Sequence, residues 1–306
     1  MVSVIIPNYN HAQYLDERIQ SVLNQTYHDF EVIVLDDCST DNSLDIINKY
    51  KDNPHITQIV VNEKNCGSPF LQWHKGFELA KGDIIWIAES DDKCEPLFLE
   101  KLIYTISQRE DCVVAFCKMI AFDENGNEKT ATTTILKEGY YKSFDFLSTL
   151  MSIGTIIVNA SGAIFKKSAA MTIDNRYMNF KGAGDRMFWV EMAECGTIAY
   201  VDEPLNFFRQ HQNNSTNRNY QLGINQREDK IILDYILKKG YITKEKYDLC
   251  RSIYIKTKVF PVTNKFLRYH LLKIWEPNFI RRFQLLFGIK RICFIMGNIF
   301  HKMTCN

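Results

Sequence analysis

An α/β fold with a doubly wound, mainly parallel sheet and helices on both faces is predicted by three observations. Four short apolar runs alternate with amphipathic segments over the first 90 residues, the runs are apolar almost throughout, and most close on polar or acidic residues. Strands covered on both faces read as continuous apolar stretches, and strands alternating with helices build parallel sheets.

The elements follow in order. Val2-Ser3-Val4-Ile5-Ile6 stops at Pro7-Asn8-Tyr9-Asn10, a strand running into a loop. Leu15, Ile19, Val22 and Leu23 recur at helical spacing. Residues 30–35 read as the second strand, closed by Asp36-Asp37, and Asp41 or Ser43 can cap a helix carrying Leu44, Ile47 and Tyr50. Residues 56–61 form the third strand. Ser68-Pro69 then gives a cap and first-turn proline to a helix bearing Phe70, Trp73 and Phe77, with Gly82 as its terminator. Residues 84–88 make the fourth strand. Beyond residue 110 the rhythm changes: residues 113–122, the Asn125-Gly126 turn signal and a Thr-rich run to Ile135 read as a hairpin, so the sheet becomes mixed. A strand at 161–165, a helix at 187–195 ended by Gly196 and a strand at 197–201 complete this part.

Composition narrows the class. With 306 residues, 46% of them hydrophobic, and only 14 Gly and 7 Pro, the chain is neither disordered nor collagen-like. It contains no apolar run of the roughly 18 residues that a spanning helix needs. Nine scattered Cys include no C-x-x-C pair and are expected as buried thiols of a reducing compartment. A strand beginning at Val2 leaves no room for a signal peptide, so a cytoplasmic location is expected. The formal charge of +1 hides a division: residues 1–216 hold 19 Lys and Arg against 30 Asp and Glu, whereas residues 217–306 hold 18 against 6. Together with the polar stretch 210–217, this places a boundary near residue 216. The expected organisation is an α/β domain at 1–216, with halves at 1–110 and 111–216, followed by a basic helical C-terminal extension at 217–306.

In an open parallel sheet, ligands gather beyond the carboxyl ends of the strands. Asp36 and Asp37 there can bind a nucleoside, through ribose hydroxyls or a pyrimidine N–H, or can serve an Asx turn. Glu89, Asp91 and Asp92 place three acids within four residues, an arrangement that invites a hard divalent cation such as Mn²⁺ or Mg²⁺; a solvated loop is the alternative. Neither G-x-G-x-x-G after the first strand nor G-x-x-x-x-G-K-[ST] occurs, which argues against a nicotinamide-dependent dehydrogenase and a P-loop nucleotidase. A metal on the acidic cluster plus isolated basic residues is the remaining way to neutralise a diphosphate.

Six motifs in order, Val4-Ile5-Ile6-Pro7-Asn8-Tyr9-Asn10, Ser21-Val22-Leu23-Asn24-Gln25-Thr26-Tyr27, Val34-Leu35-Asp36-Asp37-Cys38-Ser39-Thr40-Asp41, Ala80-Lys81-Gly82-Asp83, Glu89-Ser90-Asp91-Asp92 and Asn206-Phe207-Phe208-Arg209-Gln210-His211, resemble glycosyltransferase family 2. Its members are inverting, nucleotide-sugar-dependent enzymes of the GT-A fold, and the resemblance covers residues 1 to about 215. It implies a UDP-, GDP- or dTDP-sugar donor and a saccharide or lipid-linked glycan acceptor in cell-surface polysaccharide synthesis. It also implies that Pro7, Tyr9, Asn10, Asp36 and Asp37 surround the nucleoside. Glu89-Ser90-Asp91 stands where the family has its metal-binding D-x-D, so Asp91, with Asp92 beside it, is expected to hold the cation. Residues 65–76 resemble N-x-G-x-S-x-A-R-N-x-G without its Arg, leaving Lys75 or Gln72 as substitutes at the phosphates. Gly184-Asp185 keeps only the second acid of the family's E-D pair. By analogy Asp185 is the general base for the acceptor hydroxyl, with a helix N-cap as its other reading, and Trp189 on the same helix is expected at the acceptor. Arg209 and His211 match an R-x-H element that holds the diphosphate or orders a lid; a structural His is the alternative.

The resemblance fades after residue 216. Over 264–306, Lys265, Arg268, Lys273, Arg281 and Arg282 lie among Phe266, Trp275 and Ile280, with Glu276 as the one acid. Basic and aromatic residues at helical spacing suit an anionic membrane surface on the inner face of the cell membrane, or helices docked on the acidic domain. Nothing else suggests nucleic acid. The rival functions are a sugar-phosphate nucleotidyltransferase, which should carry a Gly-rich activating loop after the first strand, and a degenerate family member kept as a binding or scaffold subunit.

Overall fold

In the computed structural model, which describes residues 1–131, 136–152, 154–211, 215–278, 280–282 and 285, the first apolar runs become β1 (Val2–Asn8), β2 (Phe30–Asp36), β3 (Ile56–Val61) and β4 (Ile84–Ile87). Between them lie α1 (Ala12–Leu23), α2 (Ser43–Lys49) and α3 (Pro69–Leu79). Every residue of β1 and β2 is buried, which is why both read as nearly continuous apolar runs; the two interruptions, Ser3 and Glu31, bond to each other at 2.7 Å.

Then come β5 (Lys93–Cys94), α4 (Phe98–Ser107), β6 (Cys112–Asp123), β7 (Glu128–Thr130), β8 (Gly139–Tyr141), α5 (Ser143–Asp145), β9 (Ala163–Lys166), α6 (Lys167–Ala170), α7 (Gly184–Glu194) and β10 (Thr197–Gln210). The chain continues as helices α8 (Ser215–Gln221), α9 (Ile224–Lys238), α10 (Lys244–Tyr254) and α11 (Lys265–Trp275).

Among the described residues, one mixed sheet runs β3-β2-β1-β4-β9-β6-β10-β5, with β7 paired to β6 and β8 to β10. The β3-β2-β1-β4 half is parallel, and β9 lies antiparallel to both β4 and β6. The chain passes from β1 outward to β2 and β3, then returns to the other side of β1 as β4. In open parallel sheets such a reversal is where ligands bind, which directs attention to the carboxyl ends of β1, β2 and β4.

The expected hairpin is β6–β7; residues 132–135 lie outside the described residues. Three expectations change. Helix α3 ends at Leu79, with Ala80 already extended, so Gly82 is no terminator. It lies instead against β1, where an added Cβ would sit 2.7 Å from both the Met1 carbonyl and the Ser3 nitrogen. The strand expected at 197–201 runs on to Gln210, because register shifts around Pro204 let it bend and continue pairing with β6. Not all cysteines are buried: Cys66 and Cys195 are exposed.

Two apolar layers cover the sheet. One packs Leu15, Ile19, Ile47, Leu99 and Leu102 from α1, α2 and α4. The other joins Trp73, Phe77, Phe188 and Trp189 of α3 and α7 to Ile232, Leu233, Leu271, Leu272 and Trp275. Helices α9, α10 and α11 therefore share one core with the sheet domain across the charge boundary. Helix α11 buries Leu271, Leu272 and Trp275 in that core while Phe266 (74% exposed), Tyr269 and Ile274 face outward. Residues 279, 283–284 and 286–306 of the basic stretch lie outside the described residues. No described helix is long and apolar enough to cross a membrane.

Candidate active site

The exits of β1 and β2 are tied together. Asn8 Nδ2 donates to Asp36 Oδ2 (2.7 Å), which also accepts from Ser39 Oγ (2.7 Å), while Asp36 Oδ1 accepts from the Ser39 amide (2.8 Å). Asp36 is fully buried, and its oxygens hold the loop rather than facing a ligand. Asn10, at φ 55°, accepts the Thr40 amide at 2.7 Å. Pro7 is buried within β1, whereas Tyr9 is 46% exposed at the rim. Asp37 Oδ1 accepts from Asn62 Nδ2 (2.7 Å), the Cys66 amide (2.9 Å) and Gln72 Nε2 (2.9 Å). Lys75, expected at the phosphates, donates to Asn62 Oδ1 at 2.6 Å and thus stands behind the residue that holds Asp37.

The β4 exit is an acidic turn around a buried cation. Arg18 lies on the inner face of α1 with no exposed surface; its Nε donates to the Glu89 carbonyl at 2.8 Å, and its Nη2 is 3.8 Å from Asp92. Asp92 Oδ2 accepts from Ser161 Oγ (2.6 Å) and Asn159 Nδ2 (2.9 Å), and Oδ1 from the Arg209 amide (3.0 Å). Protein donors occupy both oxygens, so Asp92 is not placed as the metal ligand expected from its position. Burial pushes its carboxyl up to about 6, helped by the Asp91 charge and opposed by Arg18. Glu89 accepts from Trp73 Nε1 at 2.9 Å; burial, with the charges of Asp91 and Asp92, pushes it up to about 8.

Asp91 is different. Burial raises its affinity for a proton, but the hydrogen bond from His211 and the nearby imidazoles of His11 and His211 outweigh burial and hold it below the usual carboxylate range. His211 Nε2 lies 3.1 Å from Asp91 Oδ2, a contact that raises the His211 pKa. His11, whose pKa burial lowers, bonds through Nδ1 to Ser90 Oγ at 2.8 Å. Ligand atoms of His11, Asp91 and His211 all lie within 4.8 Å of one another. One carboxylate and two imidazoles fit a divalent transition cation, Mn²⁺ better than the all-oxygen-seeking Mg²⁺.

Sequence reasoning missed His11, although it directly follows the polar residues at the first strand's exit. Arg18 left a signal too: it sits among Leu15, Ile19 and Val22 on an otherwise apolar face. Arg209, expected at the diphosphate, is already engaged. Its Nε donates to the Asp91 carbonyl at 3.0 Å, its Nη2 pairs with Glu17, and its guanidinium lies 4.6 and 4.4 Å from the Tyr14 and Phe122 ring centroids.

Asp185 is in the first turn of α7, half-buried, with its Oδ1 accepting the Arg186 amide at 2.7 Å. Burial, reinforced by the Asp229 and Glu228 charges against the Arg186 amide bond and cation, pushes it up to about 6. Helix α3 links the three acidic regions. Gln72 touches Asp37, Trp73 touches Glu89, and the Phe70 ring packs so closely on Gly184 that a Cβ there would lie 2.5 Å away. Trp189, expected at the acceptor, is 1% exposed and packs edge-on to Phe165 and Phe188. It is a core residue, because α7 is buried from Arg186 through Ala193.

The family model described as glycosyl transferase family 2 matches residues 3–173. An uncharacterised glycosyltransferase of Nostoc sp. is 28% identical over 277 residues, 85% of this chain and 82% of the relative. The poly(ribitol-phosphate) beta-N-acetylglucosaminyltransferase TarP of Staphylococcus aureus is 29% identical over 199 residues, 62% of this chain and 56% of TarP. The putative teichuronic acid biosynthesis glycosyltransferase TuaG of Bacillus subtilis is 35% identical over 116 residues, 38% of this chain and 45% of TuaG. The chain matches only about half the length of TarP and TuaG. Among solved structures, S. aureus TarS 1–349 superposes with a TM-score of 0.64 at 20% identity, over 90% of this chain and 79% of TarS 1–349. The mannosyltransferase PcManGT of Pyrobaculum calidifontis, in complex with GDP-Man and Mn²⁺, gives 0.52 at 15% identity, over 90% of this chain and 81% of PcManGT. With a GT-A fold and a family match across more than half its length, the chain belongs to glycosyl transferase family 2.

Proposed function

We propose that this protein transfers a sugar, with inversion, from a nucleotide-diphosphate donor to a hydroxyl of a saccharide or lipid-linked glycan acceptor in cell-surface polysaccharide synthesis. The observation that carries the reading is the convergence on α3 of Asp37, the Glu89–Asp92 turn and the α7 turn bearing Asp185. A TarS 1–349 structure in complex with UDP-GlcNAc supports a nucleotide sugar as donor.

In this reading Tyr9, Asn10 and Asp37 border the nucleoside, and Asp91, His211 and His11 would hold a divalent cation, preferably Mn²⁺. Bound there, such a cation supplies the positive charge that lets a diphosphate leave. Asp185 accepts the acceptor's hydroxyl proton as that oxygen bonds to the anomeric carbon. The bond from that carbon to the diphosphate oxygen breaks on the opposite face, and the electron pair departs with the diphosphate. A carboxylate pushed up to about 6 is still ionised at neutral pH yet is a stronger base than an ordinary one. The outward Phe266, Tyr269 and Ile274 of α11, flanked by Lys265, Arg268 and Lys273, support contact with an anionic membrane surface.

The test is a panel of UDP-, GDP- and dTDP-sugars assayed for Mn²⁺-dependent nucleoside diphosphate release. Cleavage of at least one donor is expected; release from none, with or without Mn²⁺, contradicts the reading.

A further inference from the structure

The turn that carries Asp185 is gripped from outside the sheet domain. Glu228, on α9, accepts three consecutive backbone N–H groups: Lys181 on Oε1 at 2.7 Å, and Gly182 and Ala183 on Oε2 at 2.8 and 2.7 Å. The next residue, Asp229, pairs with Arg186 Nη1 at 2.6 Å and accepts from Tyr254. Two adjacent acids of one helix thus hold the residues before and after Asp185. Helix α9 approaches so closely that a Cβ on Gly182 would lie 1.9 Å from Asn225 Oδ1. Ala183, at the N-cap of α7, makes no side-chain cap bond, so this end of the helix is fixed by α9 rather than by its own sequence.

We infer that Glu228 is a positioning residue for the transfer reaction: its carboxylate gathers the 181–183 backbone, sets where α7 begins and so fixes Asp185 against the acceptor hydroxyl. The inference rests on Asp185 being the base. Charge-assisted bonds to backbone N–H groups are about twice as strong as neutral ones, and three on one carboxylate leave that segment little freedom. Displacing a reacting group by about 1 Å can cost 10²-fold in rate. The 217–306 region thereby becomes part of the catalytic apparatus.

The test compares Glu228→Ala with wild type and repeats the change in an Asp185→Asn background. The readouts are Mn²⁺-dependent diphosphate release from the sugar nucleotide that wild type cleaves fastest, affinity for that donor, and amide hydrogen exchange over 181–183. Glu228→Ala is expected to lower kcat about 10- to 100-fold, leave donor affinity unchanged, speed exchange at 181–183 and cause no further loss in the Asp185→Asn background. Glu228→Gln, which keeps one carbonyl oxygen for the Gly182 and Ala183 amides, should fall between and serves if the alanine variant does not fold. An unchanged kcat in both variants, or the same loss with and without Asp185, overturns the inference. Full activity of Asp185→Asn alone overturns instead the base assignment beneath it.

Discussion

Arg18→Met removes the buried guanidinium, whose carbon lies 5.7 Å from the Trp86 ring centroid, while keeping an unbranched apolar stem in its place. Arg18 and Asp92 are 0% and 1% exposed and 3.8 Å apart. Their attraction at an effective dielectric of 20 is about 4 kcal/mol. Breaking a buried pair costs about 3–5 kcal/mol because the surviving charge stays buried. Both Arg18 Nη atoms lack a hydrogen bond, so removing them also removes a desolvation cost and places the net near the lower end. A loss of about 3 kcal/mol corresponds to a fall of about 5 °C in Tm for a chain of 306 residues. Thermal denaturation followed by circular dichroism reads it directly. Arg18→Met with Asp92→Asn should recover part of the loss, because no unpaired charge remains. A Tm for Arg18→Met within about 2 °C of wild type would refute the reasoning that this cation holds the acidic turn together.

Three further outcomes follow. Gly184→Ala places a methyl 2.5 Å from the Phe70 ring and is expected to cost about 1–3 kcal/mol and to lower turnover; unchanged melting and kinetics contradict that packing. Because Asp185 must be ionised to accept a proton and its carboxyl is pushed up to about 6, kcat should be on its plateau at pH 7–8 and fall about tenfold per unit well below 6; a flat profile from 7 to 5 excludes it as the base. Phe266→Ser with Ile274→Ser should reduce co-sedimentation with phosphatidylserine vesicles at unchanged Tm, whereas Trp275→Ala should destabilise by about 3–5 kcal/mol; undiminished vesicle binding by the surface pair removes the membrane reading.

The sheet domain was readable because its strands are buried on both faces: a nearly continuous apolar run such as Val2 to Ile6 has few alternatives, and the acids at the strand ends stand where a parallel sheet binds its ligands. What stayed hidden depends on contacts between distant segments. Asp92 and Asp91 are neighbours of one type in sequence, but only Asp92 meets Ser161, Asn159 and the Arg209 amide, so folding separates their roles. Trp189 looked like an aromatic facing the acceptor because no stretch of sequence states which side of α7 the core occupies. For the basic segment after 216 the sequence left open an anionic surface or docking on the acidic domain, because charge counts say nothing of where its apolar residues go; Ile232, Leu233 and Trp275 belong to the same core as Phe188. Glu228 and Asp229, two of its six acids, reach the Asp185 turn through pairings 43 to 47 residues apart that no local pattern announces.

The most direct test separates two carboxylates assigned different work. Donor affinity in Mn²⁺ and single-turnover rate are measured side by side for Asp91→Ala and Asp185→Asn, using the sugar nucleotide that wild type cleaves. Asp185→Asn is expected to bind donor as wild type does but to turn over about 10²- to 10⁴-fold more slowly, and Asp91→Ala is expected to lose the Mn²⁺-dependent part of donor binding. Wild-type turnover in Asp185→Asn, or Mn²⁺-dependent binding intact in Asp91→Ala, would contradict those assignments.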